Sequence, residues 1–255
     1  MILPRVIPCL LLRGSGLVKT VQFRDPVYIG DPRNAVKIFN EREVDELVLL
    51  DIQATPLEQK IQFELIREIV SEAFMPVAYG GGIRTLEHAR QLMRVGIEKL
   101  VVCTAAVQRQ DFVKELADLI GSQSVVVCID YRKSMWGRYQ VYVSGGRVGT
   151  GKEPQDFAAE MERCGAGELL MNCIDRDGTM KGFDLDFIRS VTSRVDIPVI
   201  ASGGAGSIEH FRQAIHEAGA SAAAAGSMFV FQGKHRAVLI SYPSQAELKR
   251  TLTIP

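Results

Sequence analysis

The sequence lacks several features that mark common classes of protein. Its five cysteines show no CxxC spacing and its four histidines form no cluster with them, so no metal site is predicted and no cofactor is expected. Lys+Arg and Asp+Glu total 30 each, which gives a formal net charge of zero. There is therefore no overall basic field of the kind that binds nucleic acid or an anionic membrane surface.

Long hydrophobic segments are also missing. The longest apolar runs have the length of strands, far below the ~20 residues of a membrane-spanning helix. The first residues do not combine a basic segment with a long apolar one, so no signal peptide is expected. With unpaired cysteines in strand-like runs, a reduced, cytoplasmic location is predicted.

Eight short, continuously apolar runs, such as LVLLDI and VVVCID, alternate with amphipathic stretches over 255 residues. Continuous apolar runs are typical of parallel strands buried on both faces. The predicted strands are Arg5–Leu11, Asp45–Asp51, Met75–Gly80, Glu98–Cys103, Ser124–Asp130, Glu168–Cys173, Ile197–Ser202 and Ala222–Gly226. The predicted helices begin at Asp31-Pro32 or cover Glu58–Ala73, Thr85–Val95, Asp111–Ile120, Pro154–Cys164, Asp184–Val195, Ser207–Ala218 and Ser244–Leu252.

This alternation predicts an α/β fold, a single (β/α)8 TIM barrel covering residues 1–255. A doubly wound sheet is the alternative, but no linker or second domain is visible. An internal repeat favours the barrel, because PVAYGGGIRTLEHARQ (Pro76–Gln91) and PVIASGGAGSIEHFRQ (Pro198–Gln213) share eight of sixteen positions at an offset of 122 residues. Two fused (β/α)4 halves would produce this two-fold internal repeat.

Reacting groups of such barrels lie at the carboxyl ends of the strands. The residues predicted there are Asp51, Cys103, Thr104, Asp130, Asn172 and Ser202. The repeat adds one glycine pair per half, each between a strand and a helix, and a glycine at a helix start can present backbone N–H groups to an anion. We therefore predict two anion sites on opposite sides of the barrel mouth, although the glycines could serve only as tight turns. The polar loop Cys173–Thr179 could bind a ligand or only be solvated.

Several motifs together resemble one family along nearly the whole chain. They are VIPCL, DELVLLDI, GGGIR, TAAV, IGSQSVVV, the segment Gly145–Gly151, GAGELL, DRDGT and IPVIASGGAG. With them the chain resembles the cyclase subunit of imidazole glycerol phosphate synthase, the HisF family. The sister isomerase family is a weaker match, because DRDGT and IASGGAG favour the cyclase.

The resemblance implies a heterodimer. Such subunits pair with a HisH-like glutaminase on the amino-terminal face of the barrel, and ammonia released from glutamine passes along the barrel axis. At the carboxyl end the cyclase adds it to a ribulosyl bisphosphate, with two aspartates on strands one and five as acid and base. Asp130 matches the strand-five aspartate, and Lys19 matches a lysine on a mobile loop after strand one.

Further positions carry over from the same resemblance. The phosphate-binding positions are Gly81, Gly82, Thr104, Gly203, Gly204 and Ser227. The charged residues at the entrance of the ammonia passage are Arg5, Glu46, Lys99 and Glu168, here called the ion-pair ring. All four begin or nearly begin a predicted strand, so two cations and two anions are expected to pair there. A purely structural salt-bridge cluster is the other interpretation.

Two positions depart from the family pattern. Leu11 stands where the strand-one aspartate is expected, and Cys103 replaces an asparagine. Leucine carries no proton, and an acid–base partner contributes about 10²–10⁴ in rate. Asp51 and Asp177 are candidate stand-ins. The chain keeps the ion-pair ring but lacks the aspartate pair, and in this combination it resembles the WbuZ branch of HisF-like proteins. The resemblance implies a subunit that supplies ammonia to an ATP-dependent amidotransferase, which forms an acetamidino sugar for surface polysaccharide.

Three hypotheses follow. The first is a subunit that conducts ammonia and does not cyclise. The second is a true cyclase of histidine biosynthesis that tolerates Leu11, supported by Asp130 and both anion sites. The third, a phosphosugar isomerase, would also need two carboxylates. A phosphate-containing small molecule is an expected ligand; nucleic acid binding and membrane insertion are not expected.

Overall fold

The computed structural model describes residues 4–233 and 235–253. The strands in chain order are β1 (Arg5–Arg13), β2 (Gly16–Val21), β3 (Arg24–Gly30), β4 (Leu47–Asp51), β5 (Val77–Gly80), β6 (Lys99–Val102), β7 (Val125–Lys133), β8 (Tyr139–Val143), β9 (Val148–Gly149), β10 (Glu168–Cys173), β11 (Val199–Ser202), β12 (Ala222–Ala225), β13 (Phe231–Gln232) and β14 (Ala237–Val238). Eight of these strands correspond to the predicted ones.

The helices surround those eight strands. They are α1 (Pro32–Glu41), α2 (Phe63–Ser71), α3 (Leu86–Arg94), α4 (Thr104–Gln108), α5 (Asp111–Ile120), α6 (Pro154–Arg163), α7 (Leu185–Thr192), α8 (Ile208–Arg212, continued by a π-helical turn over Gln213–Glu217), α9 (Ser227–Val230) and α10 (Gln245–Leu252). Asp31 caps α1 by accepting the N–H of Arg33, with proline at the first helical position, as the Asp-Pro pair predicts.

The strands close into a parallel barrel. Neighbours pair in the order β1, β4, β5, β6, β7, β10, β11, β12, and β12 returns to β1. The pairing of β7 with β10 joins the two halves, with Asp130 beside Asn172. The predicted (β/α)8 TIM barrel is therefore confirmed.

Alternate side chains of each strand face opposite layers. Leu47 and Leu49 of β4 pack outward under the helices, whereas Val48 faces the barrel interior. The interior layer consists of apolar side chains, several of them no larger than alanine: Ile7, Val48, Ala78, Val101, Val126, Cys128, Leu170, Ile200, Ala222 and Ala224. The ends of the barrel, where polar groups lie, are thus separated by an apolar interior.

Two features differ from the sequence-based predictions. Helix α2 begins at Phe63 rather than Glu58, because Glu58 has a φ of 53° and cannot continue a right-handed helix. Lys19 was expected on a loop after strand one; β1 turns back at Gly14 into the antiparallel strand β2, and Lys19 lies within that strand, on the connection between β1 and α1. A glycine turn between LLLR and LVKTV is a hairpin signal that was overlooked.

Candidate functional site

A cavity of about 500 Å³ opens at the carboxyl ends of the barrel strands. It is large enough for a small-molecule ligand. The predicted site residues that line it are Leu11, Lys19, Asp51, Gly81, Gly82, Cys103, Thr104, Asp130, Asn172, Ser202, Gly203, Gly204 and Ser227. The structure therefore brings both halves of the repeat, Leu11 and Asp130 to one cavity.

Asp130 lies buried at the end of β7 among three donors. Its Oδ1 accepts from the Asn172 Nδ2 at 2.9 Å and from the Cys128 Sγ at 3.6 Å, and its Oδ2 accepts from the Cys103 Sγ at 3.7 Å. Burial raises the pKa of Asp130 to about 6, and the three hydrogen bonds oppose that rise. A carboxyl with this pKa can gain or lose a proton near neutral pH.

This pKa predicts a pH-dependent cost to stability. Because the pKa is raised on folding, the native state holds the proton more tightly, so Asp130 lowers the free energy of unfolding as the pH rises from about 4 through about 6. Asp130→Asn should therefore be more stable than the parent at pH 7.5 by about 2–3 kcal/mol. The gain should vanish at pH 4. Urea unfolding at both pH values tests this; the exposed Asp118→Asn is the control, and equal gains at both pH values would contradict it.

Leu11 stands where the family resemblance places a second carboxyl. On β1 it lies beside Leu50 of β4 and Val18 of β2, and 9% of its surface is exposed. Nothing in its side chain can donate or accept a proton. The wall of the cavity formed by Leu11 and Leu50 is therefore apolar.

The two candidate stand-ins are engaged elsewhere. Asp51 accepts the backbone N–H groups of Gln53 at 2.9 Å and Ala54 at 3.0 Å, which fold its own loop. Asp177 accepts from the Lys19 Nζ at 2.8 Å and from the Thr20 Oγ1 at 3.2 Å. Burial raises the pKa of Asp51, and the backbone hydrogen bonds lower it. Both carboxylates hold structure together around the cavity.

The glycine pairs are required by close approach of the backbone. Gly81 has a φ of 106°, and a Cβ there would lie 2.3 Å from the carbonyl oxygen of Asp51. At the equivalent position of the repeat, Gly203 has a φ of 86°, and its Cβ would lie 2.5 Å from the carbonyl oxygen of Cys173. Asp51 and Cys173 are themselves 122 residues apart, so both halves use the same turn. The tight-turn interpretation accounts for these glycines without requiring an anion.

Alanine at Gly81 should therefore be far more costly than at an unconstrained glycine. Gly14 has a φ of 60° and open space where a Cβ would be added. We expect Gly14→Ala to cost about 1 kcal/mol from backbone strain alone. Gly81→Ala should cost about 3 kcal/mol or more, since it adds overlap with the Asp51 carbonyl. Urea unfolding of the two variants measures the difference, and equal costs would show that the turn can relax.

The ion-pair ring lies at the opposite, amino-terminal end of the barrel. The Lys99 Nζ lies 2.9 Å from Glu46 and 3.0 Å from Glu168. The Arg5 guanidinium forms salt bridges with the same two glutamates, one through each terminal nitrogen. Glu46 and Glu168 are almost fully buried, so each carboxylate is shared by two cations. The predicted pairing of two cations with two anions is confirmed.

Comparison with known proteins gives a consistent family assignment. The model of the histidine biosynthesis protein family matches residues 5–236. A Pseudomonas aeruginosa protein provisionally named imidazole glycerol phosphate synthase subunit hisF2 is 52% identical over 97% of this chain and 99% of its own length. The chain belongs to the HisF family. A Vibrio vulnificus protein provisionally named subunit hisF3 is 43% identical over 100% of this chain and 98% of its own. The Alkaliphilus metalliredigens imidazole glycerol phosphate synthase subunit HisF is 42% identical over 90% of this chain and 91% of its own.

The sequence of this HisF-family chain did not predict the buried side-chain contacts that line the cavity. The Lys19–Asp177 ion pair joins residues 158 positions apart, and the Asn172 amide and Cys128 thiol turned out to be donors to Asp130. A lysine in an alternating hairpin strand was a usable signal for the first contact. Among residues 4–233 and 235–253 there is no cluster of three or more metal-ligating side chains, and no helix is long and apolar enough to cross a membrane.

Proposed function

We propose that this HisF-family chain conducts ammonia from a HisH-like glutaminase through its barrel to a separate acceptor enzyme and does not cyclise a ribulosyl bisphosphate. The observation that carries this proposal is Leu11, an apolar side chain in the same cavity as Asp130. Cyclisation on this fold is expected to need a proton carrier at both positions. One carboxyl can still bind or protonate a small molecule, but it cannot act as acid and base at once.

The amino-terminal half of the barrel supports ammonia transfer. The ion-pair ring closes its entrance with paired charges, and the interior beyond the ring is apolar and includes Ala78, Ala222 and Ala224. A neutral molecule such as ammonia can cross an apolar interior, whereas an ion would pay a large desolvation cost. The glutaminase would dock on the face that carries the ring. The acceptor we propose is an ATP-dependent amidotransferase that makes an acetamidino sugar for surface polysaccharide.

A genuine cyclase of histidine biosynthesis is the second candidate. Asp130, with a pKa of about 6, and the two glycine turns favour it, because they retain half of the acid–base pair and the shape of both anion sites. The HisF relatives named as imidazole glycerol phosphate synthase subunits are consistent with either candidate.

The deciding experiment supplies ammonium salt and the ribulosyl bisphosphate to the purified chain without a glutaminase. Ammonium bypasses the barrel passage, so the assay measures cyclisation alone. We expect turnover at least about 100-fold below that of an ordinary cyclase. Turnover within about tenfold of it would exclude the first candidate. A stable complex with a coexpressed HisH-like glutaminase is expected in either case, and its absence would remove the delivery role.

A further inference from the structure

Three of the five cysteines lie around the upper end of the barrel interior. Cys128 belongs to the interior layer, and Cys9 and Cys103 pack against that layer. All three line the cavity, and each of them is a free thiol. The other two cysteines, Cys164 and Cys173, pack in the outer layer under the helices. An oxidant that enters the cavity would therefore meet three thiols.

Cys103 and Cys128 are neighbours across two adjacent strands. The strands β6 and β7 pair in parallel with Val102 beside Val127, and one further step along both chains reaches the two cysteines. Adjacent strands are about 4.8 Å apart, and a disulfide joins Cα atoms about 4.4–6.8 Å apart. The pKa of the Cys128 thiol is raised well above its ordinary value by a hydrogen bond with Cys103 and by burial. The backbone and the side chains thus both bring these two thiols together.

Cys9 lies on the opposite wall of the barrel. Its strand β1 is separated from β7 by β4, β5 and β6 in one direction and by β10, β11 and β12 in the other. A disulfide between Cys9 and Cys128 would have to span the barrel interior, and one between Cys9 and Cys103 would have to pass over β4 and β5. The order of the strands therefore favours a single pair, Cys103 with Cys128.

Both thiols of this pair donate to the same carboxylate. The Cys103 Sγ lies 3.7 Å from the Asp130 Oδ2, and the Cys128 Sγ lies 3.6 Å from the Asp130 Oδ1. With a pKa of about 6, Asp130 is mostly ionised at neutral pH and can accept a proton from either thiol. Cys103 is half-buried, whereas Cys128 is 5% exposed. An oxidant in the cavity would therefore meet Cys103 first, with Cys128 placed to react second.

We propose that Cys103 and Cys128 form a redox-active thiol pair, which hydroperoxides oxidise to a disulfide. The Cys103 sulfur attacks a peroxide oxygen and becomes a sulfenic acid, the O–O bond breaks, and the leaving oxygen takes the Cys103 proton. The Cys128 sulfur then attacks the Cys103 sulfur, so that the S–S bond forms and the S–O bond breaks. The Cys128 proton passes through Asp130 to the leaving hydroxyl, which departs as water. Two thiols are oxidised and one peroxide is reduced.

Oxidation of the pair would also change Asp130. Disulfide sulfurs carry no proton, so Asp130 would lose two of its three side-chain donors and keep the Asn172 amide. Because these bonds lower the pKa of Asp130, their loss should raise it above about 6. The disulfide thus acts on the acid–base group of the cavity. This inference does not depend on whether the chain conducts ammonia or cyclises its substrate.

The disulfide is expected to be reversible. Side chains on adjacent parallel strands point in the same direction, so their Cβ atoms lie farther apart than the roughly 3.8 Å of a relaxed disulfide. Strained disulfides are the readily reduced ones, and disulfides of reducing compartments are transient and redox-sensing. We therefore expect reduced glutathione to restore both thiols.

Peptide mapping of the folded full chain after treatment with hydrogen peroxide tests the proposal. Trypsin places Cys103, Cys128 and Cys9 on separate peptides, which cover residues 100–109, 115–132 and 6–13. Without reduction, we expect the first two peptides to be linked, and the free thiols per unfolded chain to fall from five to three. Glutathione should restore all five. A disulfide that contains Cys9, no loss of thiols, or a loss that reduction does not reverse would each overturn the proposal.

Two serine variants test the order of the steps. In Cys128→Ser the reaction should stop at the sulfenic acid of Cys103, which dimedone labels. Cys9→Ser, the matched control on the opposite wall, should form the disulfide as fast as the parent. Dimedone labelling of Cys9 instead of Cys103, or loss of the disulfide in Cys9→Ser, would show that the cavity contains a different reactive thiol and would overturn the assignment.

An NMR titration of the Asp130 carboxyl measures the effect on the cavity. Asp130→Asn identifies the signal, and the reduced and oxidised chains are compared under the same conditions. We expect a higher pKa after oxidation, since the thiol donors are lost. An unchanged pKa, with the disulfide formed, would overturn the coupling between the thiol pair and Asp130.

Discussion

Replacing Leu11 with aspartate is expected to raise cyclisation of the ribulosyl bisphosphate with ammonium salt by about 10²–10⁴-fold over the parent chain. The substitution returns a carboxyl to the cavity wall that faces the same space as Asp130. Two carboxyls in one cavity repel, so the pair should titrate in two steps, and one member should hold a proton while the other is ionised. In that state the protonated carboxyl can act as the acid and the ionised carboxyl as the base.

The matched control is Leu11→Asn, which is polar and has the size of aspartate but carries no charge and transfers no proton. It should leave cyclisation at the level of the parent. Initial rates with saturating ammonium, measured for the parent and both variants, provide the comparison. A gain in Leu11→Asn equal to that in Leu11→Asp would show that polarity, and not proton transfer, limits the reaction.

The residue at position 103 is also expected to affect how fast Leu11→Asp cyclises the substrate. Its thiol donates weakly to Asp130 at 3.7 Å, at the position where the family resemblance places an asparagine. Leu11→Asp combined with Cys103→Asn should therefore cyclise faster than Leu11→Asp alone, because an amide is the stronger donor. No activity in either variant, with both chains folded, would show that other parts of the cavity have also diverged.

The barrel was predictable because its signals are local. Runs such as VVVCI are apolar at every position, which is typical of a strand buried on both faces, and Glu168–Cys173 was predicted to the residue. The error at α2 has a cause that the sequence does not reveal, since Glu58 has a left-handed φ of 53° although it is not a glycine. The strand that carries Lys19 was not predicted, because a hairpin inside a βα unit departs from the regular alternation of strands and helices.

The different surroundings of the two glycine turns could not be predicted from the sequence. The repeat gives the two glycine turns the same residues at equivalent positions, and Thr104 and Ser227 carry the same functional group. What separates them are contacts across the fold, namely Gly82 with Thr55, Thr104 with Ser144, and Lys19 beside Gly226. Such contacts join residues that are 27, 40 and 207 positions apart, and no local pattern encodes them.

Removing the ammonium of Lys99 while keeping its stem, as in Lys99→Met, is expected to lower the free energy of unfolding by about 2–3 kcal/mol. Glu46 and Glu168 would remain buried and share the single guanidinium of Arg5. We expect a smaller loss of unfolding free energy than for a fully buried pair. Arg5 still pairs with both glutamates, and the Lys99 side chain is 22% exposed. Urea unfolding at pH 7 measures it. An exposed pair, Arg67–Glu64, is the control, and Arg67→Met should leave the free energy of unfolding nearly unchanged.

A quadruple substitution with apolar residues distinguishes a structural role of the ion-pair ring from a role in ammonia passage. Arg5→Met, Glu46→Leu, Lys99→Met and Glu168→Leu together remove every charge, and such replacement of buried ion pairs is often neutral or stabilising. If the ring is only structural, this variant keeps every activity of its parent. If it lies at the entrance of the passage, the variant in a Leu11→Asp chain should cyclise normally with ammonium salt but poorly with glutamine and the glutaminase. Equal loss with both nitrogen sources would show damage to the cavity itself, because ammonium reaches that cavity from the mouth and does not cross the ring.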